Sequence, residues 1–254
     1  MSFIGFKSIL KKEITRIIRI WPQTLIPPII TSSIYFIIFS KILFKDKLVY
    51  IDNQEFYYSQ YIVVGLIAMA IIMNSYSSAS SSFFSMKFQR NVEELLISPL
   101  STWTIILGYI IGGMCRGIIN GLMIFITSLY FEKININSYL MFCLVALLMS
   151  FFFATIGMIN AIFSKKFDDI TWFPSFILTP LVYLGGVFFT IDMLPKSWQV
   201  IAQINPIYNF INILRNSALG SNTIDYLSLL TLITFNIILF LLATYFFDIK
   251  LRNK

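Results

Sequence analysis

YLSLLTLITFNIILFLLATYFF, residues 226–247, carries no charged side chain between Asp225 and Asp248. An α-helix rises ~1.5 Å per residue, so about 20 apolar residues cross the hydrocarbon core of a bilayer. This stretch of 22 residues is long enough. Five further charge-free intervals precede it, at 20–40, 56–86, 95–115, 134–164 and 170–191, and none is shorter than 21 residues. The third continues past Arg116. The reading is an all-α polytopic membrane protein with six transmembrane helices, at 22–43, 59–84, 104–130, 138–163, 171–191 and 226–247.

Composition agrees. Hydrophobic residues make up 57% of the chain and charged residues only 12%, about half the charged share usual in soluble domains. Six spans consume most of the 254 residues, which leaves one membrane domain over 1–254 and no room for a separate soluble catalytic domain. The chain has no histidine, so a zinc-protease helix motif and any histidine-based triad are excluded. Cys115 and Cys143 both fall inside expected spans and are read as inert buried thiols rather than a disulfide framework.

The net charge of +7 suggests nucleic acid less than it suggests orientation, because of where the charges lie. Lys7, Lys11, Lys12, Arg16 and Arg19 precede the first span, and the positive-inside rule puts them in the cytoplasm. Alternation then places Lys87, Arg90, Lys165, Lys166, Lys250, Arg252 and Lys254 on the same side. Lys41, Lys45, Lys47, Lys133, Lys196 and Arg215 fall outside, and both termini are cytoplasmic. The apolar stretch after the basic start is too long for a cleaved signal, so the first span is expected to be retained.

Residues 3–21 carry a helical stripe of Phe3, Phe6, Leu10, Ile14, Ile17 and Trp21, with Lys12, Arg16 and Arg19 largely opposite. Such a helix is expected to lie in the headgroup plane, apolar face down. In the third span, Gly113, Gly117 and Gly121 make an every-fourth-residue face for close helix approach, either within the chain or to a second copy. Arg116 lies deep in that span, where a charge normally faces a partner or a wet cavity. Asn120, Asn74, Asn160 and Asn236 are neutral candidates to meet it, and a structural and a transport-path role both stand. Between the fifth and sixth spans, residues 197–214 are uncharged and interrupted by Asn205-Pro206. An external re-entrant helical hairpin is expected there, because irregular backbone at depth needs protein or water around it.

The loop between the second and third spans reads KFQRNVEELLISPLS, residues 87–101. Asn91 with Glu94 three residues later has the form of a capping box. Val92, Leu95 and Leu96 give a short helix one apolar face, and Pro99 marks its end. That helix either docks into a groove of a partner or lies against its own bundle.

This loop resembles the cytoplasmic coupling element of bacterial ABC type-2 permeases, the membrane subunits of ATP-driven exporters. The family pattern is a basic-Gly-x-x-Glu-x-Leu run closing on a proline. Arg90, Glu93, Glu94, Leu95, Leu96 and Pro99 match it, whereas Asn91 stands where glycine is usual. Residues 181–215 resemble the family's fifth span and external hairpin, carried by Gly185, Gly186, Pro195, Asn205, Pro206 and Arg215. WPQTLIPPIITSSIYFIIF, residues 21–39, resembles the subgroup of small single-domain permeases.

The resemblance implies a permease of the bacterial cytoplasmic membrane that moves a substrate outward. It further implies a homodimer with two separate ABC ATPase subunits, which bind the ATP and Mg. No Gly-x-x-x-x-Gly-Lys-Ser/Thr loop occurs in the chain, so no nucleotide cradle is expected in it and no cofactor of its own. The loop helix at 87–99 would transmit closure of the ATPases to the spans. A non-transporting assembly or scaffold subunit of the same fold is the main alternative. A membrane enzyme lacks a nucleophile–base pair, and a secondary transporter would be expected to show internal repeats, of which none is evident. The cargo stays open.

Overall fold

The computed structural model describes residues 3–44, 47–51, 54–132, 134, 136–220 and 226–252. Asp225 and the basic residues Lys45, Lys133 and Lys254 lie outside them. The chain is 11 α-helices and one short hairpin in these residues. They are α1 (Phe3–Arg19), α2 (Trp21–Phe36), α3 (Tyr58–Phe88), α4 (Val92–Ile97), α5 (Thr102–Phe131), α6 (Tyr139–Phe163), α7 (Phe167–Phe173), α8 (Thr179–Leu184), α9 (Lys196–Ile204), α10 (Pro206–Leu219) and α11 (Tyr226–Phe247). A π-helical turn, Ile37–Leu43, prolongs α2. The helical pattern follows from the solvent, because in hydrocarbon only the chain itself can satisfy backbone N–H and C=O groups.

Among the described residues, five helical stretches are long and apolar enough to cross a membrane: Trp21–Leu43, Tyr58–Phe88, Thr102–Phe131, Tyr139–Phe163 and Tyr226–Arg252. The expected span at 171–191 is not an unbroken helix. It is α7, a π-helical turn at Pro174–Leu178, and α8, ending at Leu184 before a non-helical stretch through Gly185 and Gly186. Proline is the reason. Pro174 brings no N–H to the ladder and crowds the preceding turn, and the wider π turn absorbs it, with the Thr179 hydroxyl donating to the Pro174 carbonyl at 2.8 Å. The broken path still runs the length of α3. The Phe167 ring packs on Phe84 and Phe88 at one end, and the Gly186 carbonyl accepts from Tyr61 at the other. Those α3 positions are about 35 Å apart along the axis.

The polar loop after α2 forms a small antiparallel hairpin, so the fold is not purely helical. Strands β1 (Leu48–Ile51) and β2 (Gln54–Tyr57) pair Leu48 with Tyr57 and Ile51 with Gln54. Val49 and Ile51 turn inward while Leu48 and Tyr50 face out, the two-residue alternation of a half-buried strand. The Tyr50 hydroxyl donates to Glu55 across the pair at 2.8 Å.

Helix α3 is the hub, buried for most of its length, with α5 and α6 laid along it. The glycine face of α5 is spent on that contact. A Cβ at Gly117 would land on Ser75 and the Ile71 carbonyl, and one at Gly121 on Ile71. The glycines therefore seat a neighbour of the same chain rather than a second copy. Gly108 and Gly112, on another face of α5, admit α1, where a Cβ would strike Ile9 and Glu13.

The apolar core divides into two clusters along α3. One, toward the hairpin end, includes Tyr58, Ile62, Val63, Phe153 and Phe210. The other, toward α4, includes Phe83, Phe84, Ile106, Tyr109 and Phe247. Buried serines of the run at 75–82 lie where the two clusters meet.

Helix α1 forms where the sequence places it, and Trp21 opens α2. The expected membrane-facing stripe is split: Phe3 and Ile14 are exposed, Phe6 and Leu10 half-buried, and Ile17 is buried on the bundle side with Ile9 and Glu13. The face is set by the two α5 glycines, which accept the side chains one turn apart that α1 offers them. Cys115 is half-buried and Cys143, on α6, is exposed, so neither is the fully buried thiol expected.

Candidate functional site

The α3–α4 loop has a defined geometry. Helix α3 closes with the Gln89 N–H on the Ser85 carbonyl, and the chain reverses at Arg90, whose φ of 61° lies in the left-handed region. This is the single described non-glycine residue with positive φ. The next residue, Asn91, is the one that stands where the resembled family has glycine. It has helical angles and makes no capping bond, its amide donating to the Gln89 side chain at 3.3 Å. The expected capping box with Glu94 is therefore absent. Holding a reversed turn at a non-glycine costs of order 1 kcal/mol, and strain of that kind collects at working positions.

Helix α4 follows with Val92 anchored in the apolar core and Leu95 and Leu96 half-buried against it. Glu93, Glu94 and Pro99 are exposed, and neither carboxylate has a hydrogen-bond or ion-pair partner among the described residues. Ile97 is 85% exposed. Sequence reasoning missed it because its apolar-face pattern stopped at Leu96. A large apolar knob beside two free carboxylates on a rigidly seated helix is a docking surface in form.

The loop is tied to the rest of the molecule from two directions. Ser101 caps α5, its hydroxyl paired with that of Thr104 at 2.8 Å. Thr102 donates to Asp248 at 2.6 Å and accepts from Arg252 at 3.0 Å, which joins the start of α5 to the end of α11. Asp169 accepts the backbone N–H groups of Lys165 and Lys166 at 2.7 and 3.0 Å, and these hold its carboxyl below the usual range.

From the other side, α1 delivers a buried ion pair. Glu13 is fully buried and pairs with Arg16 at 3.0 Å. The Ser82 hydroxyl donates to the other Glu13 oxygen, and Arg16 donates to the carbonyl and hydroxyl of Ser78 at 3.1 Å each. Burial also pulls the Lys12 ammonium below its ordinary value, with Glu13 pulling the other way. None of this network is legible in the sequence, where nothing in the spacing of Glu13, Ser78 and Ser82 brings them together.

At the opposite end, the motif residues converge. Arg215 is buried, donates to the Gly186 carbonyl at 2.9 Å and lies 3.5 Å from the centre of the Tyr61 ring. Tyr61 donates to Gly186 and Phe189 carbonyls, and Tyr58 to that of Phe188. Gly186 sits at φ 81°, a conformation glycine adopts freely. Gly185 leaves room for Ile207. Asn205 caps α10 by accepting from Ile207 at 3.0 Å and donates to the Leu181 carbonyl at 2.6 Å. Pro195 opens α9 and Pro206 opens α10, where a missing N–H costs little. Together they tie α10 and the stretch after α8 to α3, with α9 held on α10.

Arg116 is brought to none of its candidate partners. Asn74 and Asn236 donate to carbonyls of their own helices, Asn160 to Tyr76, and Asn120 to the backbone carbonyl of Arg116 rather than meeting its guanidinium. The Arg116 side chain is half-buried and its Nε has no partner in the described residues. Arg116→Leu is accordingly expected to insert with little change in melting temperature, while transport falls several-fold or the protein fails to pair with a second copy. Vesicle flux and the size of the purified complex, measured together, check this, and no change in either would make Arg116 a packing residue.

Comparison with known proteins matches the sequence to a family. The chain is 42% identical to the inner membrane transport permease YadH of Escherichia coli (strain K12) over 246 residues, covering 96% of this chain and 93% of that one. It is also 24% identical to nodulation protein J of Rhizobium leguminosarum bv. trifolii over 169 residues, 66% of this chain and 64% of the relative. Nodulation protein J of Neorhizobium galegae matches at 24% over 198 residues, 78% and 74% of the two chains. The family model described as ABC-2 type transporter covers residues 5–219, from α1 through the end of α10, and the chain belongs to that family.

Proposed function

We propose that this chain is the membrane-spanning permease subunit of an exporter of the bacterial inner membrane, driven by a separate ABC ATPase that docks on α4. The observation that carries the reading is α4 itself, wedged on Val92 and presenting Ile97, Glu93 and Glu94 outward without partners in the described residues. ATP and Mg reside on the ATPase. Two copies of this chain with two ATPases form the working unit, with α4 and both termini in the cytoplasm. Basic residues favour that orientation.

The broken segment α7–α8 makes the sixth crossing in this reading. It is supported by contacts that link one end of α3 to the other through Phe167 and Gly186. Helices α9 and α10 form the external hairpin, with Trp198, Ile201 and Ile204 exposed on α9 toward lipid or headgroups. Helix α1 lies at the cytoplasmic membrane surface, with Phe3 and Ile14 directed to lipid. Movement of α4 would reach the spans through Val92 and through the turn at Arg90, tilting α3 and α5 as rigid bodies.

The test is an Ile97→Cys variant with Cys115 and Cys143 replaced by alanine. In inside-out vesicles a membrane-impermeant maleimide is expected to label it rapidly, and the bound ATPase to slow labelling by tenfold or so. Labelling only from the outer face, or no protection by the ATPase, would defeat the assignment.

A further inference from the structure

A cavity of about 350 Å³ opens beneath α4, and its lining is one-sided in charge. Lys87, Arg90, Lys165 and Lys250 border it, against one carboxylate, that of Glu93. Lys87 is committed to the end of α6, donating to the carbonyls of Ile162 at 2.6 Å and Ser164 at 2.7 Å. The side chains of Arg90 and Lys165 make no hydrogen bond or ion pair among the described residues, and Lys250 lies over the Phe163 ring at 5.5 Å. Three cations that make no ion pair among the described residues converge on one hollow, with the Glu93 carboxylate in its lining and Asp169 acting on Lys165. Its remaining walls, which include Leu96, Phe163 and Leu251, are apolar.

Position adds to charge. Phe88, Phe163 and Phe247 are the last residues of the long α-helices α3, α6 and α11, and the cavity lies at these ends, bordered by Lys87, Ile162 and Phe163. Helix ends at one level mark where a bilayer's headgroups begin. Basic hollows between transmembrane helices at that depth recognise anionic lipid headgroups. A soluble anion would need the cations but not the apolar wall.

We propose that this cavity binds the phosphate headgroup of an anionic phospholipid, with Arg90, Lys165 and Lys250 on the phosphate and Leu96, Phe163 and Leu251 along the glycerol and upper acyl chain. The lipid then fills the space between α4 and the ends of α6 and α11. It braces the loop helix from behind and leaves Ile97 free on the outer side. The proposal rests on the chain crossing a bilayer, not on export or on the ATPase, so its test needs neither.

The full chain is purified in detergent, stripped of lipid and titrated with phosphatidylglycerol, phosphatidylcholine or inorganic phosphate, with native mass spectrometry counting what is retained. Wild type is expected to hold one phosphatidylglycerol per chain in preference to phosphatidylcholine. Lys165→Gln/Lys250→Gln is expected to weaken that binding roughly 30-fold, at about 1 kcal/mol for each basic group lost. Lys165→Arg/Lys250→Arg, checked to have the same helical content, is expected to retain it. Equal retention of phosphatidylglycerol by wild type and the glutamine variant overturns the proposal. So does inorganic phosphate binding alone and displacing the lipid, which would make this a free-anion site. Unchanged lipid binding together with lost capture of the ATPase would assign the cavity to protein docking and overturn it equally.

Discussion

The Glu93→Lys/Glu94→Lys double variant is expected to insert normally and to lose roughly tenfold or more of its coupled transport. Both carboxylates are exposed on α4 and unpaired among the described residues, so reversing them removes no contact inside the subunit. Val92, Leu95 and Leu96 hold the helix in place regardless. The change is felt where another surface meets α4 and, through Glu93, in the basic hollow behind it, and like charges brought together across an interface cost several kcal/mol. ATPase activity is therefore expected to persist while flux does not. Paired measurement of ATP hydrolysis and cargo movement in vesicles reads the uncoupling directly. Normal coupled transport would remove α4 from the transmission path.

Arg16→Met is expected to be the most destabilising single change in α1, by about 3–5 kcal/mol. The Glu13 carboxylate is fully buried, and Arg16 is its one ion-pair partner among the described residues. Removing the cation strands a charge among Gly112, Tyr109 and Ser82. The Glu13→Gln/Arg16→Met double variant should recover much of the loss, because a neutral amide can still accept from Ser82. Thermal unfolding of the purified proteins orders the three. If the single variant melts no lower than the double, the ion pair is not what seats α1.

Much of the architecture was readable as intervals between charges, since a bilayer leaves the backbone few alternatives. The segments around 59–84, 104–130, 138–163 and 226–247 became continuous helices for that reason. The segment at 171–191 satisfied the same count but carried Pro174 and the Gly185–Gly186 pair, and local backbone chemistry broke it. The loop helix was visible from Val92, Leu95, Leu96 and Pro99, yet its left-handed turn fell on Arg90, a residue whose type gives no hint of it. The hairpin Leu48–Ile51 with Gln54–Tyr57 is too short for periodicity to reveal. Likewise, Gly185, Gly186, Asn205 and Arg215 were recognisable as a set, but only their mutual distances show that they lock one end of α3. The basic residues were counted for orientation, and which of them share one hollow is a property of tertiary folding.

The order in which the ribosome delivers these parts has a consequence for biogenesis. Glu13 is translated 69 residues before Ser82, its hydroxyl donor. At ~5–20 residues per second that interval lasts several seconds, and the glycines of α5 emerge later still. Throughout it Glu13 has Arg16 and Lys12 of its own helix beside it but not the Ser82 hydroxyl. Helix α1 therefore reaches its final contacts only after α3 and the glycines of α5 have been made.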